Sequence, residues 1–293
     1  MVSKAVKIAV LSGKGGTGKT LVSVNLAAAA KESVYIDCDV EEPNGHLFLK
    51  PVISDEETVT VRIPAIDERL CNGCRKCVDF CAFGALAFVQ GKPILFDEVC
   101  HACGGCELLC PVKAICEKEK AIGNILSGVS GNVTVYTGSL NIGETSGIPL
   151  IKRLLHKKAC EESRPVFIDC PPGSSCAVME SIHDADYCIL VAEPTVFGAY
   201  NLAMVYELVK LFGKPHSAVL NKCLDDENPS EAFCLQNRIP ILGRIPFDSE
   251  LGELGSEGKV AVREEDKFRT LFGSLLERVG KEVRHETAPD SQR

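Results

Sequence analysis

The sequence of 293 residues contains no run of about 18 consecutive apolar residues, the length that a membrane-spanning helix needs. It also has no excess of positive charge, since 32 Lys and Arg stand against 40 Asp and Glu. Without a basic stripe to neutralise phosphates, non-specific binding to nucleic acid is disfavoured. The first ten residues do not combine a charged segment, a long apolar segment and a small-residue cleavage site. We therefore expect no secretion and a cytoplasmic location.

The composition is not that of a disordered or collagen-like chain, because 45% of the residues are hydrophobic and 25% are charged. The length allows roughly two domains of about 150 residues each. The unusual feature is a count of 16 cysteines. Because the cytoplasm keeps thiols reduced, we expect metal ligands or free thiols rather than disulfides.

Short apolar runs alternate with segments of helical periodicity, such as 19–31 and 198–212. This alternation predicts an α/β fold with a mostly parallel sheet and helices on both faces. The predicted strands are 5–11, 33–37, 133–136, 165–169, 187–192, 217–221 and 239–243.

A cysteine-rich segment interrupts this pattern between the second and third predicted strands. We therefore expect a discontinuous α/β domain at 1–61 and 118–285, an inserted α+β module at 62–117 and a flexible tail at 286–293. Apolar residues at helical spacing in 267–283 predict a C-terminal helix. Because its polar face carries charges of both signs, packing on the sheet is favoured over adhesion to a membrane.

A glycine-rich run, Ser12–Thr20, follows the first predicted strand and opens a helix, which is the context of a phosphate-binding Walker A loop. Lys19 is expected to reach the β and γ phosphates, and the Thr20 hydroxyl to bind Mg²⁺. A glycine-rich turn without a ligand is the alternative. The motif predicts nucleotide contacts from Gly13, Lys14, Gly15, Gly16, Thr17, Gly18, Lys19 and Thr20.

An additional lysine early in this loop, Lys14, gives it the sequence GKGGTGKT, which resembles the deviant Walker A loop of the MinD, ParA, Mrp and nitrogenase iron protein group of P-loop ATPases. The resemblance implies an ATP-dependent homodimer, or a dimer with a related ATPase. In such a dimer Lys14 reaches the partner's phosphates and acts in catalysis. A solvated loop lysine is the alternative.

Two acidic segments, Asp37–Asp39 and Val166–Gly173, also resemble this group. By that resemblance Asp39 orients the attacking water and contributes to the Mg²⁺ site, while Asp169 holds Mg²⁺ through water. Asn221, together with 245–248, resembles the segments that enclose adenine, which implies ATP. A strand-end cap or a turn is the alternative for each residue alone. Their joint placement at the carboxyl ends of parallel strands favours a ligand site.

The cysteine-rich segment contains two runs with the C-x2-C-x2-C-x3-C spacing of bacterial ferredoxins, 29 residues apart. In such runs the fourth cysteine ligates the other cluster. The resemblance therefore implies two [4Fe–4S] clusters, with zinc as the alternative. One cluster would use Cys71, Cys74, Cys77 and Cys110, and the other Cys100, Cys103, Cys106 and Cys81. The second run is followed by a proline, Pro111, but the first run has Ala82 at the equivalent position. From this difference we expect an altered reduction potential rather than a lost cluster.

The whole pattern resembles a MinD-superfamily ATPase that carries an inserted ferredoxin domain. It implies an ATP-hydrolysing enzyme that couples ATP to electron transfer with a protein donor or acceptor, during metal-cofactor assembly or reduction. Two other functions stay open, a positioning ATPase with structural or sensing clusters and a carrier of iron–sulfur clusters. Cys176 matches a cysteine of the nitrogenase iron protein that holds a cluster between two subunits, which suggests a bridging cluster here. The second cysteine of such a site has no counterpart in 136–144, and a small buried thiol is the alternative.

Overall fold

The computed structural model of the chain describes residues 5–157, 163–224 and 227–287, so most of the predicted tail lies outside the described residues. The strands are β1 Lys7–Leu11, β2 Ser33–Asp37, β3 Val52–Ile66, β4 Leu86–Val89, β5 Lys92–Leu95, β6 Ile115–Ser130, β7 Val133–Leu140, β8 Val166–Asp169, β9 Tyr187–Ala192, β10 His216–Cys223 and β11 Ile241–Pro246. The helices are α1 Lys19–Ala29, α2 Gly45–Leu49, α3 Lys76–Phe80, α4 Gly105–Leu108, α5 Ile148–Leu155, α6 Cys176–His183, α7 Val196–Leu211, α8 Pro229–Gln236, α9 Ser249–Ser256, α10 Ala261–Glu264 and α11 Asp266–Thr287.

The main sheet has nine strands in the order β11-β10-β9-β1-β8-β2-β7-β6-β3. The strands from β11 to β7 are parallel to their neighbours, and they are the apolar runs that the sequence predicts as strands. The mostly parallel α/β sheet is therefore confirmed. Because the carboxyl ends of parallel strands share one edge, the loops that follow β1, β2 and β8 lie side by side there.

The last two strands of the sheet, β6 and β3, are antiparallel and were not predicted. Pairing between β6 and β7 ends at Gly123 and Leu140, on the carboxyl edge. Pairing between β3 and β6 continues beyond this edge to Ile66 and Ile115. The segment 67–114, with all eight closely spaced cysteines, therefore lies beyond the edge that carries the phosphate-loop motif. The predicted boundaries at 62 and 117 fall inside these two strands.

The sequence repeat in the cysteine segment is also a repeat of backbone conformation. Gly73, Arg75 and Gly84 adopt positive φ angles, and so do the residues 29 positions later, Ala102, Gly104 and Lys113. The short helices α3 and α4 occupy equivalent positions in the two halves. The segment is thus built from two half-modules, as the spacing predicts.

Successive apolar side chains along the central strands lie on opposite faces of the sheet and fill two cores, one on each face. Helix α11 belongs to one of them, since its apolar stripe is buried there through Phe268, Phe272, Leu275, Val279 and Val283. The predicted packing of the C-terminal helix on the protein is confirmed. No helix within the described ranges is both long and apolar enough to cross a membrane.

Gly123 lies where β6 meets the end of β7, and a Cβ atom there would lie 2.3 Å from the Ser139 carbonyl oxygen. We expect Gly123→Ala to lower the free energy of unfolding by about 1–3 kcal/mol, because the clash is with backbone. Urea unfolding measures this, with Gly252→Ala in α9 as the control. A Cβ at Gly252 has no neighbour within 4 Å, so this control should be neutral or stabilising. Equal stability of the two variants would contradict the register of β6 and β7.

Candidate functional site

The phosphate-loop motif connects the end of β1 to the start of α1 in the middle of the sheet. Gly16 and Gly18 have φ angles of 78° and 88°, which favour glycine. A Cβ at Gly18 would lie 2.1 Å from Asn221 Nδ2, and one at Gly13 would lie 2.1 Å from the Asn201 carbonyl oxygen. The close path of the loop therefore requires glycine, as the motif predicts.

This loop forms one wall of a cavity of about 730 Å³. Its other walls come from Asp39, from α2 and the residues beside it, from Pro172 and from 255–258. The Thr17 hydroxyl is buried and has no hydrogen-bond partner, so a polar group is available in the loop for a bound anion. The residues present fit a nucleotide whose phosphates lie against the loop and helix N-terminus.

Lys19 and Asp169 form a buried ion pair beneath the cavity, with 2.5 Å between Nζ and Oδ1. Lys19 Nζ also lies 3.5 Å from the Thr20 hydroxyl oxygen. Burial alone would lower the pKa of Lys19, but the carboxylates of Asp169, Asp37 and Asp39 together outweigh it and hold the net pKa above the ordinary value. The ammonium thus lies between two of the three side chains predicted to bind Mg²⁺, Thr20 and Asp169. A bound phosphate would have to draw Lys19 away from Asp169.

Tyr35 holds the second oxygen of Asp169, since its buried hydroxyl donates to Oδ2 at 2.8 Å. Burial, followed by the Asp169 charge, raises the pKa of this hydroxyl well above its usual range, so it stays a proton donor. Sequence reasoning missed Tyr35. The available signal was a polar-tipped aromatic residue within an otherwise aliphatic buried stretch, Val34–Ile36.

Two aspartates follow at the end of β2 and have different environments. Asp37 is fully buried and accepts the N–H groups of Gly45 at 2.8 Å and Asp39 at 3.2 Å. Burial, together with the Asp169 charge, raises its pKa to about 8. Asp39 is half-buried and lines the nucleotide-sized cavity. Burial raises its pKa to about 6, although Lys19 opposes this shift. Asp39 is therefore the carboxylate that can face a ligand, and Asp37 fixes the loop.

Asn221 lies under the loop rather than in the cavity wall. It is 4% exposed and donates through Nδ2 to the Thr17 carbonyl oxygen at 2.8 Å. Its predicted contact with the base stays a prediction. The next residue, Lys222, donates to the Gly16 carbonyl oxygen at 2.7 Å, which ties the end of β10 to the phosphate loop.

Lys14 does not point freely into solvent. Its Nζ atom lies 2.6 Å from Glu193 Oε2, and Lys222 Nζ lies 2.7 Å from Oε1 of the same carboxylate. Sequence reasoning missed Glu193, since it contacts lysines far from it along the chain.

The closely spaced cysteines surround two further cavities. In the described ranges 5–157, 163–224 and 227–287, no group of three or more His, Cys, Asp or Glu side chains is arranged to hold a metal ion. One cavity, of about 20 Å³, is lined by Cys71, Cys74, Cys77 and Cys110, and the other, of about 310 Å³, by Cys81, Cys100, Cys103 and Cys106.

Cys176 is exposed at the start of α6, so its reading as a small buried thiol is wrong.

We expect Tyr35→Phe to remove the donor to Asp169 and to lower the free energy of unfolding by about 1–3 kcal/mol. If Asp169 serves a Mg²⁺ site, nucleotide binding should then need on the order of tenfold more Mg²⁺. Titration of nucleotide binding against Mg²⁺ measures this second effect.

Tyr187→Phe is the matched control, because Tyr187 is also buried in the sheet but its hydroxyl contacts the neutral Ser217 hydroxyl. This control should change stability without changing the Mg²⁺ requirement. The same Mg²⁺ requirement in both variants would show that Tyr35 does not position Asp169 for Mg²⁺.

Comparison with known proteins agrees with this geometry. The model of the CobQ/CobB/MinD/ParA nucleotide binding domain matches residues 8–262. An uncharacterized protein of Methanocaldococcus jannaschii is 32% identical over 253 residues, covering 85% of this chain and 87% of that protein. An iron-sulfur cluster carrier protein of the same organism is 24% identical over 297 residues, covering 94% and 84%.

Among solved structures, the cell division ATPase MinD of Pyrococcus furiosus has the same fold, with a TM-score of 0.58 and 22% identity over 94% of this chain and 99% of that one. The family match spans the phosphate loop, both acidic segments and nearly the whole sheet. This chain belongs to the CobQ/CobB/MinD/ParA nucleotide-binding family and is a MinD/ParA-type P-loop ATPase.

Proposed function

We propose that this ATPase works as a nucleotide-dependent dimer that couples ATP binding and hydrolysis to electron transfer through two [4Fe–4S] clusters. The electrons pass to or from a protein partner in metal-cofactor assembly or reduction. The observation that carries the proposal is the position of the cysteine segment, beyond the same sheet edge that carries the phosphate loop.

The grouping of the cysteines around these two cavities supports two clusters with the predicted ligand sets. Each cavity is lined by three cysteines of one run and the fourth cysteine of the other. This crossed arrangement is the one that the ferredoxin spacing implies. The chemistry of four thiol groups around one space suits an iron–sulfur cluster, which would supply one-electron transfer.

The backbone around these cysteines also suits clusters. The Cys110 sulfur accepts the Ala114 N–H at 3.1 Å. Three non-glycine residues, Arg75, Ala102 and Lys113, hold positive φ angles that cost free energy. Turns of this kind direct successive N–H groups inwards, where they stabilise negative charge. Hydrogen bonds to the sulfurs are among the features that set a cluster's reduction potential.

Hydrolysis in this proposal uses residues at the carboxyl edge. Lys19 leaves Asp169 for the β and γ phosphates, and Asp39 orients the attacking water. Lys14 of the second protomer stabilises the charge that develops on the γ-phosphoryl group. Thr20 and Asp169 would hold Mg²⁺, with Asp39 nearby, and the metal would neutralise phosphate charge.

A hydrogen-bonded route leads from Asp39 towards the cysteine segment. Its neighbour Val40 accepts the Leu140 N–H at 2.8 Å, and the Asn141 N–H donates to Ile122 of β6 at 2.8 Å. Further along β6, Lys120 pairs with Glu144 at 3.0 Å and donates to the Asp97 carbonyl oxygen at 3.0 Å. A movement of the Asp39 loop on binding ATP can therefore be passed to the cysteine segment.

A cluster carrier is the second candidate function. It is favoured by the similarity to the iron-sulfur cluster carrier protein of Methanocaldococcus jannaschii over 94% of this chain. A carrier would give iron and sulfide to an apo-protein, whereas an electron-transfer protein would keep its clusters through repeated redox cycles. Incubation with an apo-ferredoxin, followed by iron analysis of both proteins, separates the two functions.

Anaerobically purified or reconstituted protein is expected to hold about eight iron atoms per chain. Cys110→Ser should reduce this towards about four, because Cys110 belongs to one predicted ligand set. Iron analysis and electron paramagnetic resonance of the reduced protein measure both changes.

Cys116→Ser is the matched control, since Cys116 is exposed on β6, outside both runs. This variant should keep all the iron. Far less iron than about eight atoms in the unchanged protein, or the same loss in both variants, would contradict the two clusters.

We expect Mg²⁺ and ATP to shift the cluster potentials or the rate of reduction, and Lys120→Met to remove most of this shift while ATP hydrolysis persists. The physical reason is the loss of the tie between the cysteine segment and the loop that follows β7. Redox titration with and without Mg²⁺-ATP provides the measurement. Lys118→Met is the control, because Lys118 is an exposed lysine two residues away on the same face of β6. Identical potentials in every nucleotide state would contradict coupling.

A further inference from the structure

Glu193 lies directly after β9, the strand that neighbours β1 on the side opposite β8. Its carboxylate therefore reaches the same edge as the phosphate loop. The side chain is only 12% exposed and binds two ammonium groups, one on each oxygen. One belongs to Lys14 of the loop and the other to Lys222 at the end of β10.

The main chain around Glu193 is fixed. Its carbonyl oxygen accepts the Ser230 hydroxyl at 2.6 Å and the Thr195 N–H at 2.9 Å. Gly198 of α7 packs so closely that a Cβ there would lie 2.3 Å from this oxygen. The carboxylate is therefore presented from a rigid base, which lowers the entropy lost when it holds a lysine.

Lys222 completes a bridge over the loop. Its backbone has a φ of 58°, an unusual conformation for a residue with a side chain. Its ammonium group contacts both Glu193 and the Gly16 carbonyl oxygen. Two residues of the glycine-rich loop, Lys14 and Gly16, are thus linked to the Glu193 carboxylate, Lys14 directly and Gly16 through Lys222.

Lys14 is consequently engaged within its own chain. Its side chain is 30% exposed, and its ammonium group also lies 5.4 Å from the centre of the Phe197 ring. To reach phosphates of another protomer, Lys14 has to exchange the Glu193 carboxylate for phosphate oxygens.

We infer that Glu193 is a positioning residue that keeps Lys14 in its own protomer until a second copy of the chain presents nucleotide phosphates. This inference rests on the proposed function, because it needs Lys14 to act across the dimer. Glu193 opposes dimerisation without nucleotide, and triphosphate outcompetes it because a phosphate cluster carries more negative charge than one carboxylate.

The test removes the charge of Glu193 and keeps its shape. Glu193→Gln should lower the protein concentration for half-maximal ATP-dependent dimerisation about fivefold, measured by analytical ultracentrifugation. It should also raise the rate at which an amine-reactive acylating reagent modifies Lys14 in the nucleotide-free chain, with exposed Lys31 as internal standard. Glu231→Gln is the control, since Glu231 forms an ion pair with Arg244 on α8 and β11, outside the phosphate loop.

The double variant Lys14→Ala/Glu193→Gln should dimerise no better than Lys14→Ala alone, because the effect of Glu193 passes through Lys14. If Glu193→Gln is unstable, Glu193→Asp tests the same bridge, since the shorter carboxylate keeps the charge but cannot span both lysines. An unchanged Lys14 modification rate and unchanged dimerisation in these variants would overturn the role of Glu193. A dimer that forms equally well in Lys14→Ala would instead overturn the proposed function of Lys14.

Discussion

The buried ion pair of Lys19 and Asp169 is the contact on which the nucleotide site depends. A buried charge is costly unless it is paired, and here one ammonium group faces the carboxylates of Asp169, Asp37 and Asp39. The structure limits the excess negative charge in two ways. Tyr35 donates to Asp169, and burial raises the pKa of Asp37 to about 8, so this group is largely protonated at neutral pH. In the proposed mechanism Lys19 leaves Asp169 for the triphosphate, and a cation at Asp169 would then replace the lost charge. The site therefore suits a magnesium nucleotide better than a free nucleotide.

The same arrangement occurs twice around the phosphate loop. Asp169 holds Lys19 at one side, and Glu193 holds Lys14 at the other. Both lysines of the motif are thus paired with carboxylates of their own chain. The difference is burial, because the first pair is almost fully enclosed and the second is partly exposed. Lys19 and its partner Asp169 lie beneath the cavity that is proposed to hold the nucleotide of the same chain. Lys14 is more exposed, and its proposed release from Glu193 would change the charge that the protein presents to a second copy.

The parts of the structure that could be predicted from the sequence are those with a local signal. The parallel strands are continuous apolar runs because both faces are buried, and the phosphate loop is specified by consecutive glycines. Strand β3 was missed because it contains Asp55, Glu56 and Glu57 and is exposed over much of its length, so no apolar run marks it. Its partner β6 was missed for the same reason, since its first half is rich in lysine and glutamate. The bonds of Tyr35 to Asp169 and of Glu193 to Lys14 join residues far apart in the chain, and only the strand order brings them together.

The strand order also sets the distance over which ATP would have to act on the cysteine segment. Between β1 and β6 lie β8, β2 and β7, so the lateral distance is four steps, or about 20 Å at the usual spacing of strands. Residues 60–66 of β3 continue for about 20 Å beyond the edge. Charges at the phosphate loop are screened over such a distance, because the Debye length at physiological salt is about 8 Å. Direct electrostatic control of the cysteine segment by phosphate is therefore weak. The hydrogen bonds from Val40 through Leu140 and Ile122 lie along the edge itself, so a displacement of the Asp39 loop, if ATP causes one, would reach β6 without this attenuation. Coupling of the proposed kind would therefore require movement of the backbone rather than a long-range field.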